Sequence, residues 1–283
     1  MDIVRTRAEL RSALHAARAA GKRIVLVPTM GYLHEGHLTL VDVAHKHGDV
    51  VVMSIYVNPL QFGPSEDLAR YPRDLERDTA LASERGVHFV FAPDDNEMYG
   101  AAKPAVTVHA PRLSDRLCGL FRPGHFEGVL TVVSKLFNIV QPDAAVFGQK
   151  DFQQHVLIRR MVADLSYAID IIVAPVIREA DGLAMSSRNV YLSKDERGAA
   201  LALSRALRLA QLRYRDGERK PVALLQSARQ LLDAEPGIQL QYVELVDAKS
   251  LETPERADDA SVLAVAAIVG KTRLIDNVVL SAS

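Results

Sequence analysis

Strand-length apolar runs at 24–27, 50–57, 87–91, 143–147 and 169–174 are separated by stretches long enough to be helices. That alternation constrains the fold more than any other feature. Strands joined through helices lie parallel, and a parallel sheet is wound on both faces. The run at 50–57 is nearly all apolar, as a strand covered on both sides should be. Between the runs, Thr6-Arg7-Ala8-Glu9 reads as a capping box opening a helix that ends near Gly21. Helices are expected at 35–47, 75–85 and 152–161. Phe126, Val129, Leu130, Val133, Phe137 and Val140 keep helical spacing through another.

After about residue 176 the pattern changes. Residues 194–216 and 221–233 read as helices, the second opened by Pro221. Ile238, Leu240 and Tyr242 then alternate with Gln239 and Gln241, the mark of an antiparallel strand with one buried face. Residues 262–269 and 274–280 complete a small sheet. The expected architecture is α/β: a Rossmann-like, doubly wound parallel sheet over 1–175 and a smaller α+β domain over 176–283. Sheets of the first kind bind ligands beyond the carboxyl ends of their strands, so the loops that follow strands carry the search for a site.

The length of 283 residues suits one large or two modest domains. Lys plus Arg (34) nearly cancel Asp plus Glu (35), so net charge gives no overall drive toward nucleic acid or an anionic membrane. The longest apolar run, 50–57, is too short to span a bilayer. Cys118 is the only cysteine, so no intramolecular disulfide can form; with no apolar leader at residues 1–5, a cytoplasmic location is expected.

The strongest signal is Pro28-Thr29-Met30-Gly31-Tyr32-Leu33-His34-Glu35-Gly36-His37, which follows the first strand and opens the next helix. His34 and His37, three apart, share one face of a first helical turn. Backbone N–H groups and the helix dipole favour an anion there, and imidazoles can donate to phosphate oxygens as charge builds. Two surface histidines at a helix start are the plain alternative. Zinc-protease spacing, four apart with Glu between, is not met. Gly270-Lys271-Thr272 resembles the end of a P-loop, but Val265 stands where the first glycine belongs, so it reads as a hairpin turn.

Gly148-Gln149-Lys150-Asp151-Phe152-Gln153-Gln154 follows the strand at 143–147. Lys150 can hold a polyphosphate as a point charge, with Gln154 turned inward one turn later; a solvated helix start capped by Asp151 is the alternative. The loop Asp181-Gly182-Leu183-Ala184-Met185-Ser186-Ser187-Arg188-Asn189 offers hydroxyls and a guanidinium suited to a phosphate clamp. Asn58 and Gln61 place uncharged amides after the second strand, fit for a polar substrate or simply for a turn at Asn58-Pro59. Arg122, His125 and Tyr71 are further candidates.

PTMGYLHEGH (28–37), YVNPLQF (56–62), RPGHFEGVLTVVSKLFNIVQPD (122–143), FGQKDFQQ (147–154) and GLAMSSRN (182–189), in this order and spacing, resemble the pantothenate synthetase family of HIGH-motif nucleotidyltransferases. The resemblance implies a two-step reaction in which pantoate is adenylated by ATP, with Mg2+ accompanying the nucleotide, and β-alanine then takes the acyl group. It implies ATP contacts from Met30, Gly31, Tyr32, Leu33, His34, Glu35, Gly36, His37, Gly148, Gln149, Lys150, Asp151, Ile177, Met185, Ser186, Ser187 and Arg188. His34, His37 and Lys150 would be catalytic, His37 as proton donor. Gln61 and Gln154 would hold pantoate, with Asn58 nearby. An acidic run that some members carry is interrupted here by Arg73-Asp74-Leu75-Glu76-Arg77-Asp78, which leaves a metal-associated role for Asp78 open, and the metal ligands are unassigned. A homodimer is also implied, and a second domain that closes over the labile adenylate is expected. The alternatives are a related adenylyltransferase acting on a phosphate ester and a non-catalytic nucleotide-sensing module.

Overall fold

A computed structural model of the chain describes residues 1–64, 66–102 and 104–281. In chain order its elements begin with β1 (Asp2–Val4), α1 (Arg7–Ala19), β2 (Ile24–Thr29), α2 (Glu35–Ala44), β3 (Val50–Ile55), α3 (Leu75–Glu84), β4 (Phe89–Phe91), α4 (Asp95–Tyr99), α5 (Pro111–Ser114) and α6 (Cys118–Phe121). There follow α7 (His125–Val140), β5 (Ala144–Gly148), α8 (Phe152–Asp164), β6 (Asp170–Ala174), α9 (Lys194–Arg215), α10 (Pro221–Asp233), β7 (Ile238–Asp247), β8 (Ser261–Val269) and β9 (Thr272–Val279).

Six strands form one parallel sheet in the order β1-β4-β3-β2-β5-β6. Ile24, Val25, Leu26 and Val27 are each no more than 1% exposed, so β2 is covered on both faces. Val25 and Val27 share a core with Leu33, Leu38 and Val41. The chain steps from β2 to β3 in one direction and resumes at β5 on the other side of β2. The order therefore reverses between β2 and β5, where open α/β sheets bind ligands. The Pro28–His37 and Gly148–Gln154 segments run on from those two strands.

The second sheet, β7-β8-β9, is antiparallel. Its core joins Val243, Leu245, Leu263 and Val265 to Leu203 and Leu207 of α9 and Leu224 of α10. The even alternation expected along β7 is interrupted. Register shifts between Leu240 and Tyr242, a bulge that adds one residue and reverses which face each later side chain takes. Ile238 and Leu240 share the core with Val243 and Leu245, while Tyr242 meets Cys118, its hydroxyl 3.1 Å from Sγ. Gly270, at φ +59°, and Lys271 make the two-residue β8–β9 turn, so the P-loop-like triplet is a hairpin.

Thr6 caps α1 through the expected capping box, and Pro221 begins α10. The strand β1 and the short helices α4, α5 and α6 were not expected from pattern. Contacts divide the chain into two compact units: Met1–Ser114, Arg122–Gly148 and Leu157–Pro175 in the first, Asp115–Phe121, Gln149–Val156 and Val176–Ser283 in the second. Two short segments that precede residue 175 thus group with the carboxy-terminal part.

Candidate active site

In the first unit, the loop after β2 is built from inside. Thr29 Oγ1 donates to Ser54 O (2.7 Å) and accepts the Gly31 N–H (3.2 Å). Gly31 and Tyr32 both take positive φ, +79° and +50°. A Cβ on Gly31 would lie 2.9 Å from Asp78 Oδ2, so only glycine leaves room for that carboxylate. Asp78, 1% exposed, accepts the Tyr32 N–H (2.6 Å) and the Leu33 N–H (2.7 Å). Burial pushes the Asp78 pKa up, with those two N–H groups and Arg77 pulling the other way. Leu33 is fully buried and ties the loop to the core.

His34 is the N-cap of α2. Its N–H donates to His37 Nδ1 (3.3 Å), and the two imidazoles stack with centroids 4.0 Å apart. With Nδ1 accepting, the neutral His37 ring carries its proton on Nε2. Glu35 is exposed and ion-paired to Arg85 (2.5 Å), so its carboxylate is turned away and only its backbone belongs to the helix start.

Gln61 sits in a 3-10 turn, Pro59–Gln61, and is 8% exposed. Its Oε1 accepts from Asn58 Nδ2 (3.0 Å) and its Nε2 lies 3.1 Å from Met30 Sδ. Asn58, expected near substrate, is 1% exposed with its amide consumed: Nδ2 also donates to Gly128 O (3.1 Å), and Oδ1 accepts from Tyr99 Oη (2.7 Å) and Leu60 N (3.3 Å). So engaged, Asn58 meets Gln61 directly through its amide. His125 Nδ1 lies 2.8 Å from Gln61 O, and Arg122 bridges His125 Nε2 (2.9 Å) and Glu66. Tyr71 is buried against Phe62. A cavity of about 360 Å³, lined by Met30, Gly31, Tyr56, Pro59, Arg73 and Asp78 among others, opens beside this loop within the same unit. Burial, with Asp95 accepting from its hydroxyl, pushes the Tyr56 phenol far up and keeps it a donor.

In the second unit, Gln149–Asp151 makes one 3-10 turn before α8. The half-buried Gln154 follows, while Gln153 is 4% exposed and spent on the chain itself: Oε1 accepts the Cys118 N–H (2.9 Å) and Nε2 donates to Arg116 O (2.7 Å). Asp151 is exposed. Ile177 to Met185 folds back on itself, with Met185 N–H donating to Ile177 O (2.9 Å) and Glu179 N–H to Leu183 O (2.8 Å). Ser186 caps the next 3-10 turn by accepting the Arg188 N–H (3.3 Å), and Ser187 is buried. The serine-rich loop is thus a pinned hairpin, because Arg178 pairs with Asp276 (2.7 Å) and Asn189 holds Glu179 and Ala184. Among the described residues, no group of three His, Cys, Asp or Glu is placed to hold a metal ion.

The sequence reading missed the anchoring of this loop by Asp78, the cap of Tyr99 on Asn58 and the role of β9. Partners 46, 41 and 128 residues apart leave no local signal.

A parallel sheet with an anion-ready helix start at its switch point defines a nucleotide-handling α/β class. Comparison with known proteins narrows this. Residues 2–279 match the family model described as pantoate-beta-alanine ligase. The pantothenate synthetase of Moorella thermoacetica is 54% identical over 280 residues, covering 99% of each chain. The crystal structure of pantothenate synthetase from Thermus thermophilus superposes with a TM-score of 0.94 at 44% identity, covering 99% of each chain. The pantoate-beta-alanine ligase of Francisella tularensis, solved with beta-gamma ATP and beta-alanine, does so with a TM-score of 0.82 at 31% identity over the whole of both chains. The chain belongs to the pantoate–β-alanine ligase family.

Proposed function

We propose that the chain is an ATP-dependent ligase that condenses pantoate with β-alanine through a pantoyl-adenylate. The observation that carries the reading is the stacked His34–His37 pair at the start of α2, on the loop that leaves the switch-point strand β2. MgATP is the nucleotide substrate. A pantoate carboxylate oxygen attacks the α-phosphorus, the bond to the bridging oxygen breaks, and pyrophosphate leaves. The β-alanine amine then attacks the acyl carbon, AMP departs, and the amine loses a proton to give the amide.

The roles follow from chemistry and position. The His37 Nε2–H and the helix N-terminus stabilise charge on the phosphate oxygens. Lys150 adds a point charge, and Ser186, Ser187 and Arg188 add further donors. Met30, Gly31, Tyr32 and Gly148 supply backbone close to the nucleotide, with Gln149, Asp151 and Ile177 beside it. Gln61 and Gln154 hold pantoate, Asn58 acting through Gln61. Positioning and charge stabilisation do most of the work in such transfers. A homodimer and a cytoplasmic location complete the proposal. Among the described residues no helix is long and apolar enough to cross a membrane.

The test supplies purified protein with ATP, magnesium and pantoate, with and without β-alanine. Pyrophosphate release that requires pantoate, and pantothenate plus AMP only when β-alanine is added, is the expected result. Folded, ATP-binding protein that releases no pantoate-dependent pyrophosphate would refute the assignment.

A further inference from the structure

Two adjacent residues of β9, Asp276 and Asn277, are 4% and 2% exposed, unusual burial for a charged and an amide side chain in neighbouring strand positions. Successive side chains of a strand face opposite ways, so the two reach different segments. The Asn277 amide is fully engaged with the turn after β5. Its Nδ2 donates to Gln149 O (2.9 Å) and to Lys150 O (3.0 Å), and its Oδ1 accepts from Gln149 Nε2 (3.2 Å). Only a primary amide of this length can donate to both carbonyls and accept from a third group.

Asp276 receives Arg178 in a two-pronged pair, Nη1 at 2.7 Å and Nη2 at 3.0 Å, and Arg178 Nη1 also donates to Gly182 O (3.1 Å). This fixes the tip and one leg of the hairpin that ends at Met185 and Ser186. Planar guanidinium–carboxylate pairing sets orientation as well as distance, which a single ammonium would not. One strand dipeptide therefore grips the backbone that carries Lys150 and the hairpin that presents Ser186, Ser187 and Arg188.

We propose that Asp276 and Asn277 are positioning residues that hold the Lys150 turn and the Ser186–Arg188 segment in register for the nucleotide's phosphates. The assignment rests on the ATP-dependent function proposed above. Neither residue touches substrate. Each acts through the segment it holds, and fixing backbone in advance is what lets a lysine or serine act without reorganising as charge builds.

The experiment measures pantoate-dependent pyrophosphate release over a range of ATP concentrations for the full chain and for Asn277→Ala, Asn277→Asp and Arg178→Lys, each also in a Lys150→Ala background. Circular dichroism and melting temperature are recorded alongside. The expected result for Asn277→Ala and Asn277→Asp is a KM for ATP raised fivefold or more and a lower kcat, with KM for pantoate changed less than twofold. In the Lys150→Ala background the Asn277 effect should largely vanish, because both changes disable the same group. Arg178→Lys should raise KM for ATP and keep its effect in that background.

Folded variants with unchanged KM for ATP overturn the proposal. So does an Asn277 effect of equal size with and without Lys150, which marks a general structural role. Unfolding of both Asn277→Asp and Arg178→Lys assigns the pair to stability alone and overturns it as well. Absence of pantoate-dependent pyrophosphate from the unaltered chain is a different failure: it removes the functional reading, and the positioning role with it.

Discussion

His37 accepts the His34 N–H on Nδ1, so its Nε2–H is fixed as a donor before any ligand arrives. His37→Ala removes that donor and is expected to lower pantoate-dependent pyrophosphate release by about 100-fold or more, with the melting temperature nearly unchanged. Steady-state assay beside a thermal melt checks both halves. Asp78 acts through the loop. Asp78→Asn keeps the volume but leaves one of two backbone N–H groups facing an amide N–H, and kcat/KM for ATP should fall about tenfold, since a displaced loop costs transition-state positioning. Burial raises the Asp78 pKa, so the folded chain binds that proton more tightly than the unfolded chain. Its contribution to stability is therefore present in full below the ordinary Asp range and is lost as pH rises through the raised folded value. The stability advantage of the unaltered chain over Asp78→Asn should shrink as pH rises above the ordinary Asp range, read by urea denaturation at each pH. A constant difference would show that the carboxylate titrates alike in both states.

At the scale of elements, α7 and the Pro59–Gln61 turn approach so closely that a Cβ on Gly128 would lie 2.4 Å from Leu60 C and O. Gly128→Ala should cost about 1–3 kcal/mol in chemical denaturation, because backbone cannot yield as a flexible side chain can. It should also raise KM for pantoate more than KM for ATP, since the turn carries Gln61. Equal effects on the two constants would detach Gln61 from pantoate. The bulge in β7 shows the limit of pattern at this scale. Period-2 alternation placed Tyr242 with Ile238 and Leu240, and one extra residue at Gln241 moved it to the opposite face.

Across the whole molecule, each unit has its own apolar core, and the segment from Val176 to Asn189 opens the last stretch of the second. That segment is held by the Arg178–Asp276 pair and by Arg197 against Glu179 and Asp181 (2.7 Å). ATP with pantoate should slow limited proteolysis within 175–190, because ligand that binds only the folded form depletes open states. Cleavage at the same rate with and without ligand would argue against ordering of this segment during turnover.

The sequence by itself determined the alternation of strands and helices, hence the parallel sheet, and it placed PTMGYLHEGH and GQKDFQQ at the carboxyl ends of strands. Those features are local: apolar periodicity, the Thr6 cap and the glycines act over a few residues, and short-range physics suffices to read them. Only the tertiary structure decided that Asn58 serves Gln61, that Gln153 is spent on Cys118 and Arg116, and that Asp78 and Asn277 hold loops 46 and 127 residues away. An amide or carboxylate looks the same in sequence whether it faces a ligand or a backbone N–H. Which one it meets depends on how distant strands come together, and burial then makes that partner obligatory.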